Sequence, residues 1–283
     1  MRKNRIFFVI RFITFFFGRS LTNKTYNVTI FINGEALLRG GSFMIAKNDI
    51  ICFLGDSITQ SDGTTDKFYW EYIAEMTGAT VYSFGVNGAQ SCGLSEQLKR
   101  MEETVGGNFD ILFVFVGTND FNHGVELGDF FTVHEERVPI NSDASGNFTE
   151  FTTVRKRDFV FDRNTFKGRL NIFFSAVREK YSDKRIVMLT PIHRAYAYFG
   201  GDNIQPNELF SNKSGLFFDS YIQAEREAAD IWSIEIIDLY RDSGLFPLCD
   251  GSAEKYFHNA KTDRLHPNAA GHRLIAEKIL QKA

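Results

Sequence analysis

The sequence predicts an α/β fold, with three α/β/α layers built around a five-stranded, doubly wound parallel sheet of the flavodoxin-like kind. Apolar runs alternate with amphipathic stretches from residue 50 to the C-terminus, which is the pattern of repeated βαβ units. Two runs, Ile50–Leu54 and Ile111–Val116, are apolar at every position, as strands covered on both faces must be. Both lead into short polar loops, Gly55-Asp56-Ser57-Ile58-Thr59 and Gly117-Thr118-Asn119-Asp120. These loops lie at the edge where open α/β sheets bind their ligands.

Composition bounds the function. A chain of 283 residues that is 43% apolar can bury a large core. A net charge of −3 with scattered Lys and Arg gives no basic field, so neither nucleic acid nor an anionic membrane is an expected partner. The one basic cluster, Arg155-Lys156-Arg157, reads as a solvated face. Three cysteines, one inside a buried strand and none in CxxC or Cys/His spacing, suggest neither a disulfide framework nor zinc. No phosphate-cradling glycine loop or metal cluster stands out, so no cofactor and no metal are expected.

Residues 1–43 form an N-terminal extension. Arg2, Lys3 and Arg5 precede an apolar run from Ile6 to Phe17, the outline of a targeting segment. Arg11 interrupts the run, which is shorter than the roughly 20 apolar residues that span a bilayer, and no small-x-small cleavage site follows. Met44 offers another beginning: Met44-Ile45-Ala46-Lys47-Asn48-Asp49 leads straight into the first strand, and Gly40-Gly41 is what a purine-rich ribosome-binding sequence encodes when read in frame. On that reading residues 1–43 are a non-native leader and the protein is cytoplasmic. Otherwise residues 1–20 make it secreted or membrane-anchored, and the intact mass of the native protein separates the two.

From Met44 onward the elements follow in order within one domain, residues 44–283. Phe68, Tyr69, Tyr72, Ile73 and Met76 have helical spacing within Asp66–Thr77, and Gly78 suits the helix end. Thr80–Phe84 reads as the second strand, Ser95–Val105 as a helix, and Asp110–Val116 as the central strand. From 121 to 162 the alternation fails; Thr132–His134 and Glu150–Val154, on either side of the polar stretch 141–147, suggest an inserted β-ribbon or loop arm. Helix resumes over Phe166–Tyr181, followed by a strand at Arg185–Thr190 and a second irregular stretch at 192–214. Helix Phe217–Trp232, strand Ile234–Leu239 and helix Asn268–Gln281 close the chain. Both insertions leave carboxyl ends of strands, so they are expected to fold over the Ser57 pocket and set substrate choice.

A lone serine after a strand is most often a helix N-cap, so Ser57 needs partners. Late in the chain stands Asp263-Arg264-Leu265-His266-Pro267. Gly55-Asp56-Ser57-Ile58-Thr59, Gly88 in its loop, Gly117-Thr118-Asn119-Asp120 and Asp263-x-x-His266-Pro267, in this order and on these strand ends, resemble the four sequence blocks of the SGNH (GDSL-like) hydrolases. Ser83 stands where family members often carry Asn, and Gly85 is the alternative to Gly88. The resemblance covers roughly Met44 to the C-terminus and implies a serine esterase on the SGNH-hydrolase type of fold. It assigns Ser57 as nucleophile, His266 as the base that takes its proton, and Asp263 as the group that holds the imidazole in one tautomer. Acid and base three residues apart, on a loop or a single helical turn, can both face the serine. The resemblance also implies an oxyanion hole made of the Ser57 and Gly88 N–H groups and the Asn119 side-chain amide. Asp56 and Asp120 are expected to bond loop backbone; His123 and His193 lie next to strand ends and could line the pocket, although ordinary surface histidines are the commoner case.

The expected reaction is hydrolysis of a carboxylic ester, with an acetyl-sized acyl group on a carbohydrate or similar polar alcohol. Tyr196, Tyr198, Phe199, Phe130 and Phe131 are candidates to stack on a sugar. The same aromatics would serve a lysophospholipase or thioesterase. A non-catalytic carbohydrate-binding module on the same fold is the third reading, since fold does not fix function. The sequence leaves the oligomeric state open.

Overall fold

The computed structural model describes residues 29–32 and 35–38 as backbone, and residues 45–61, 64–201 and 203–283 in full. They fall in two compact units, residues 1–42 and 43–283. The first contains an antiparallel pair, β1 (Thr29–Ile32) and β2 (Glu35–Leu38); the targeting run and the Met44 start lie outside the described residues.

In the second unit the chain runs β3 (Ile50–Gly55), α1 (Tyr69–Thr77), β4 (Thr80–Ser83), α2 (Leu94–Val105), β5 (Ile111–Phe115) and α3 (Thr118–Asn122). A ribbon of β6 (Phe131–Ser142) and β7 (Phe148–Phe159) follows, then α4 (Phe166–Lys180), β8 (Arg185–Leu189), β9 (Ala197–Tyr198) and β10 (Ile204–Gln205). The chain ends with α5 (Phe218–Trp232), β11 (Glu235–Ile237), α6 (Leu239–Asp242), α7 (Asp250–Tyr256), β12 (Phe257–Asn259), β13 (Asp263–Pro267) and α8 (Ala269–Lys282).

Strands β4-β3-β5-β8-β11 form a five-stranded sheet in that order, parallel throughout. Numbered within the sheet this is 2-1-3-4-5, the flavodoxin-like order, with the chain reversing direction of travel between β3 and β5. Side-chain alternation divides the core between the two faces. Cys52, Leu54, Leu112, Val114, Ile186 and Met188 pack with α2, α4 and α5. Ile51, Phe53, Ile111, Phe113, Val187 and Leu189 pack with α1 and α8. Both faces being covered is why the runs read as unbroken apolar stretches.

Several elements differ from expectation. Helix α1 starts at Tyr69 because the Glu71 carboxylate accepts the Phe68 N–H at 2.7 Å, fixing the first turn there. Thr118–Asn122, expected as loop, forms the short helix α3. Asp263–Pro267, expected as loop or helical turn, is a strand in a second sheet ordered β10-β9-β13-β12. The ribbon is longer than Thr132–His134 and Glu150–Val154 indicated, with both faces largely exposed. Its root is held where Asn171 donates to the Phe130 and Val160 carbonyls, both at 2.9 Å, and where Phe159 stacks on Trp232.

Candidate active site

Strand β3 delivers Ser57 to the carboxyl edge of the sheet. The buried Gln97 side chain of α2 brackets the last strand residue, accepting from Gly55 N and donating to Gly55 O, each at 2.8 Å. Asp56 then closes the turn. Its Oδ1 accepts the Ile58 N–H at 3.0 Å and its carbonyl accepts those of Thr59 and Gln60, a local bond pattern that fits Asp at a chain reversal. Ser57 therefore sits on a rigid turn and does not cap a helix.

His266 reaches this serine from the far end of the chain. Its Nε2 is 2.9 Å from Ser57 Oγ, and its Nδ1 is 3.0 Å from Asp263 Oδ2. An extended strand points residues i and i+3 to opposite faces. Here Asp263 Oδ1 accepts the N–H groups of both Leu265 and His266 at 3.1 Å, folding the strand back so that carboxylate and imidazole meet. Asn268 caps α8 by accepting from Ala270 and Gly271, which anchors the segment on its other side. Burial raises the Asp263 carboxyl, but the His266 imidazole and its hydrogen bonds prevail and hold it below the ordinary value. Asp263 Oδ2 has a further partner, His258 Nδ1 at 3.1 Å, so two imidazoles share one carboxylate oxygen. His258 was not singled out from the sequence; its place on β12, antiparallel to β13, is the signal that would have found it.

Asn119 stands on α3, opposite. Its Nδ2 donates to Ala89 O at 3.1 Å and lies 3.5 Å from Asp56 Oδ2. Asp120 holds the helix by accepting from Ser91 N at 2.8 Å, Ser91 Oγ at 2.6 Å and Arg169 Nη1 at 2.9 Å. Gly117 makes the turn into α3 with φ +111, and a Cβ there would meet Glu225 Oε1 at 2.6 Å, so only glycine fits. Burial pushes the Asp56 carboxyl up to about 6 and raises those of Asp120 and Glu225.

Ser57, Gly88, Asn119 and His266 line one cavity of about 510 Å³, together with Thr64, Asn87, Asn122, His123, Phe199, Asn203, Gln205 and Leu265. Gly88 is thus at the site. Gly85 instead packs against backbone, where a Cβ would come within 2.7 Å of Gln60 N. Among the described residues, no acceptor is paired with the N–H of Ser57 or of Gly88. His123 lines the cavity, whereas His193 is taken by Glu208 at 2.6 Å and packs on Tyr240.

The expected lid divides. The second insertion supplies Phe199, Asn203 and Gln205, and Phe199 lies 5.6 Å from the His266 ring. From the first, only its root, Asn122 and His123, reaches the cavity, and no residue of β6 or β7 does. Phe130 is buried and Phe131 lines a separate groove with Val133 and Arg157, so neither can stack on a substrate at Ser57. Tyr196 and Tyr198 stack on each other outside the cavity lining.

A parallel 2-1-3-4-5 sheet with a serine, an imidazole and a carboxylate in line at its carboxyl edge is the arrangement of an α/β serine hydrolase. Residues 53–274 match the GDSL-like Lipase/Acylhydrolase family, and the chain belongs to it. Solved structures share the fold. One is a Lactobacillus plantarum protein (22% identity, TM-score 0.63, 84% of this chain and 96% of that one). A possible lipase from Chitinophaga pinensis DSM 2588 is 19% identical, with TM-score 0.59 over 83% of this chain and 97% of that one. A catalytic mutant of Axe2, an acetylxylan esterase from Geobacillus stearothermophilus, is 16% identical, with TM-score 0.51 over 85% of this chain and 96% of that one. A search of curated proteins returned no match.

Proposed function

We propose that this enzyme hydrolyses short-chain acyl esters, acetyl above all, of a carbohydrate or similar polar alcohol, through a Ser57–His266–Asp263 triad and an acyl-enzyme. The observation that carries the reading is the line of contacts from Ser57 Oγ to His266 Nε2 at 2.9 Å and from His266 Nδ1 to Asp263 at 3.0 Å. With its Nδ1–H donated to Asp263, the imidazole presents the Nε2 lone pair to the serine. As Ser57 Oγ attacks the ester carbonyl, Nε2 takes the hydroxyl proton, and the imidazolium so formed is stabilised by the Asp263 charge. The same proton passes to the departing alkoxide, leaving acyl-Ser57. Water, deprotonated by His266, releases the acid and restores the serine. The tetrahedral oxyanion is met by the Ser57 and Gly88 N–H groups and by Asn119 Nδ2.

The lining supports a polar alcohol. Five amide side chains and Thr64 outnumber the apolar Phe199 and Leu265, whereas a long acyl chain asks for an apolar channel. Initial rates on p-nitrophenyl acetate, p-nitrophenyl palmitate, an acetylated methyl xyloside and acetyl-CoA test the reading. Acetyl esters should lead. Ser57→Ala should lose on the order of 10⁶-fold in kcat, as triad members do elsewhere. A Ser57→Ala protein working near the parental rate overturns the mechanism, and a preference for palmitate or the thioester overturns the substrate class.

A further inference from the structure

Arg194, 1% exposed, is among the largest fully buried side chains of the described residues, and its contacts with Asn122 and Gln205 place it behind the cavity wall. Its guanidinium packs over the Phe121 ring at 5.4 Å. Among the described residues it has no carboxylate in salt-bridge contact: Glu208 spends its two oxygens on Arg194 N (2.9 Å) and His193 Nδ1 (2.6 Å). Nε and Nη1 have no hydrogen-bond partner. A buried guanidinium so poorly compensated is costly, and an apolar side chain would fill the same space. Its role must come from the contacts it does make, Nη2 to Gln205 Oε1 at 3.0 Å and to Asn122 Oδ1 at 3.4 Å. Both partners line the Ser57 cavity.

A guanidinium only donates. The amide ends turned toward it must be the oxygens, which leaves Asn122 Nδ2 for the cavity. The polarity propagates: Gln205, its oxygen engaged, donates through Nε2 to Asn203 Oδ1 at 3.2 Å, which leaves Asn203 Nδ2 as the free end of a third lining amide. No Asp or Glu is among the described lining residues. Beside the serine the cavity thus presents N–H donors, a surface that fits a ligand rich in acceptor oxygens and makes poor use of an aryl or alkyl group.

We propose that Arg194 is a positioning residue that polarises Asn122, Gln205 and Asn203 into a donor-lined subsite for the oxygen-rich alcohol part of the ester, a sugar or polyol. It rests on the ester-hydrolase reading. Discrimination then comes from amide orientation fixed one layer below the surface, and should appear in KM for the polyol ester.

The test is the ratio of kcat/KM on acetylated methyl xyloside to that on p-nitrophenyl acetate, in the full-length enzyme and in Asn122→Leu, Gln205→Leu, Arg194→Met and Arg194→Lys. Losing the Asn122 donor, or the Gln205 relay that turns the Asn203 donor outward, should lower the ratio roughly three- to tenfold, mainly through KM of the xyloside. Arg194→Met, which frees both amides to turn, should lower it at least as far, and Arg194→Lys, also donor-only, should restore part. A folded Arg194→Met enzyme with the parental ratio overturns the positioning role. If the Arg194 variants fail to fold, Asn122→Asp decides: it keeps an oxygen on Arg194 but turns an acceptor to the cavity, and must lower the ratio as far as Asn122→Leu. A parental ratio in that variant overturns the role. Folded Asn122→Leu and Gln205→Leu enzymes with the parental ratio overturn the subsite. A parent inert toward both esters overturns the hydrolase reading instead.

Discussion

Glu225 lies beneath the turn into α3, fully buried, with neither carboxyl oxygen hydrogen-bonded among the described residues. Burial, followed by the nearby charges of Asp120, Asp56 and Asp238, raises its carboxyl well above the ordinary value of 4.5. The sign of the stability effect follows from proton counting. Between 4.5 and the raised native value, the folded protein keeps a proton that the unfolded chain has released. Over that window stability falls as pH rises, by about 1.4 kcal/mol per pH unit for one proton. Glu225→Gln keeps shape and polarity but cannot ionise. Urea unfolding of parent and variant at pH 5, 6 and 7 reads the difference: relative to strongly acid pH the variant gains about 0.8 kcal/mol by pH 5, and the gain then grows by up to about 1.4 kcal/mol per unit until the native carboxyl ionises. Asp56 and Asp120 lean the same way but are common to both proteins, so the difference curve isolates Glu225 and its coupling to them. Parallel stability curves from pH 5 to 7 would refute a protonated Glu225.

Asn119→Ala should lower kcat by about 10² to 10³ with KM little changed, because an oxyanion donor acts on charge that appears only in the transition state. Losing its bond to Ala89 O should cost about 1 kcal/mol, or roughly 2 to 4 °C in Tm. A folded variant at the parental rate would remove Asn119 from the site. Replacing the outer ribbon, 135–155, with a two-residue Asn-Gly turn should leave relative rates across the ester panel within about twofold, since no ribbon residue lines the cavity. Substrate-selective changes would restore the ribbon as a lid.

The central sheet was legible because burial on both faces leaves its mark on every residue of β5 and on all but the first residue of β3 and β8. The site was legible where a short motif carries a residue and its turn together, as for Ser57 and Asn119. What long-range pairing creates was hidden. Asp-Arg-Leu-His-Pro has no strand signature, and becomes β13 only through β9 and β12. The contacts of His258 with Asp263 and of Arg194 with Asn122 are of the same origin, joining segments that no local pattern links. The ribbon misled in the opposite way. Its aromatic residues looked like a substrate platform, but Phe130 and Phe159 secure the root of the arm against α4 and α5.

The Asp56 carboxylate does two things at once, and they can be separated. The turn around Ser57 needs only an acceptor for Ile58 N, and asparagine would provide one. What asparagine lacks is charge. Asp56 interacts electrostatically with His266, and its Oδ2 lies 3.5 Å from Asn119 Nδ2. Above about 6, where this carboxyl ionises, its negative charge favours the imidazolium formed during acylation but opposes an oxyanion held at Asn119. Asp56→Asn removes both effects while keeping the turn. Without the negative neighbour, the imidazolium formed during acylation is stabilised less and the oxyanion is repelled less, so the two effects act on kcat in opposite directions. At pH 8, where the parent carboxylate is fully charged, the variant's kcat reports which effect dominates: a rise means oxyanion repulsion, a fall means lost imidazolium stabilisation. A variant-to-parent kcat ratio that stays flat from pH 5 to pH 8, across the ionisation of Asp56, in a variant with parental Tm would show that its charge does not reach the reacting groups, leaving the residue as a turn former alone.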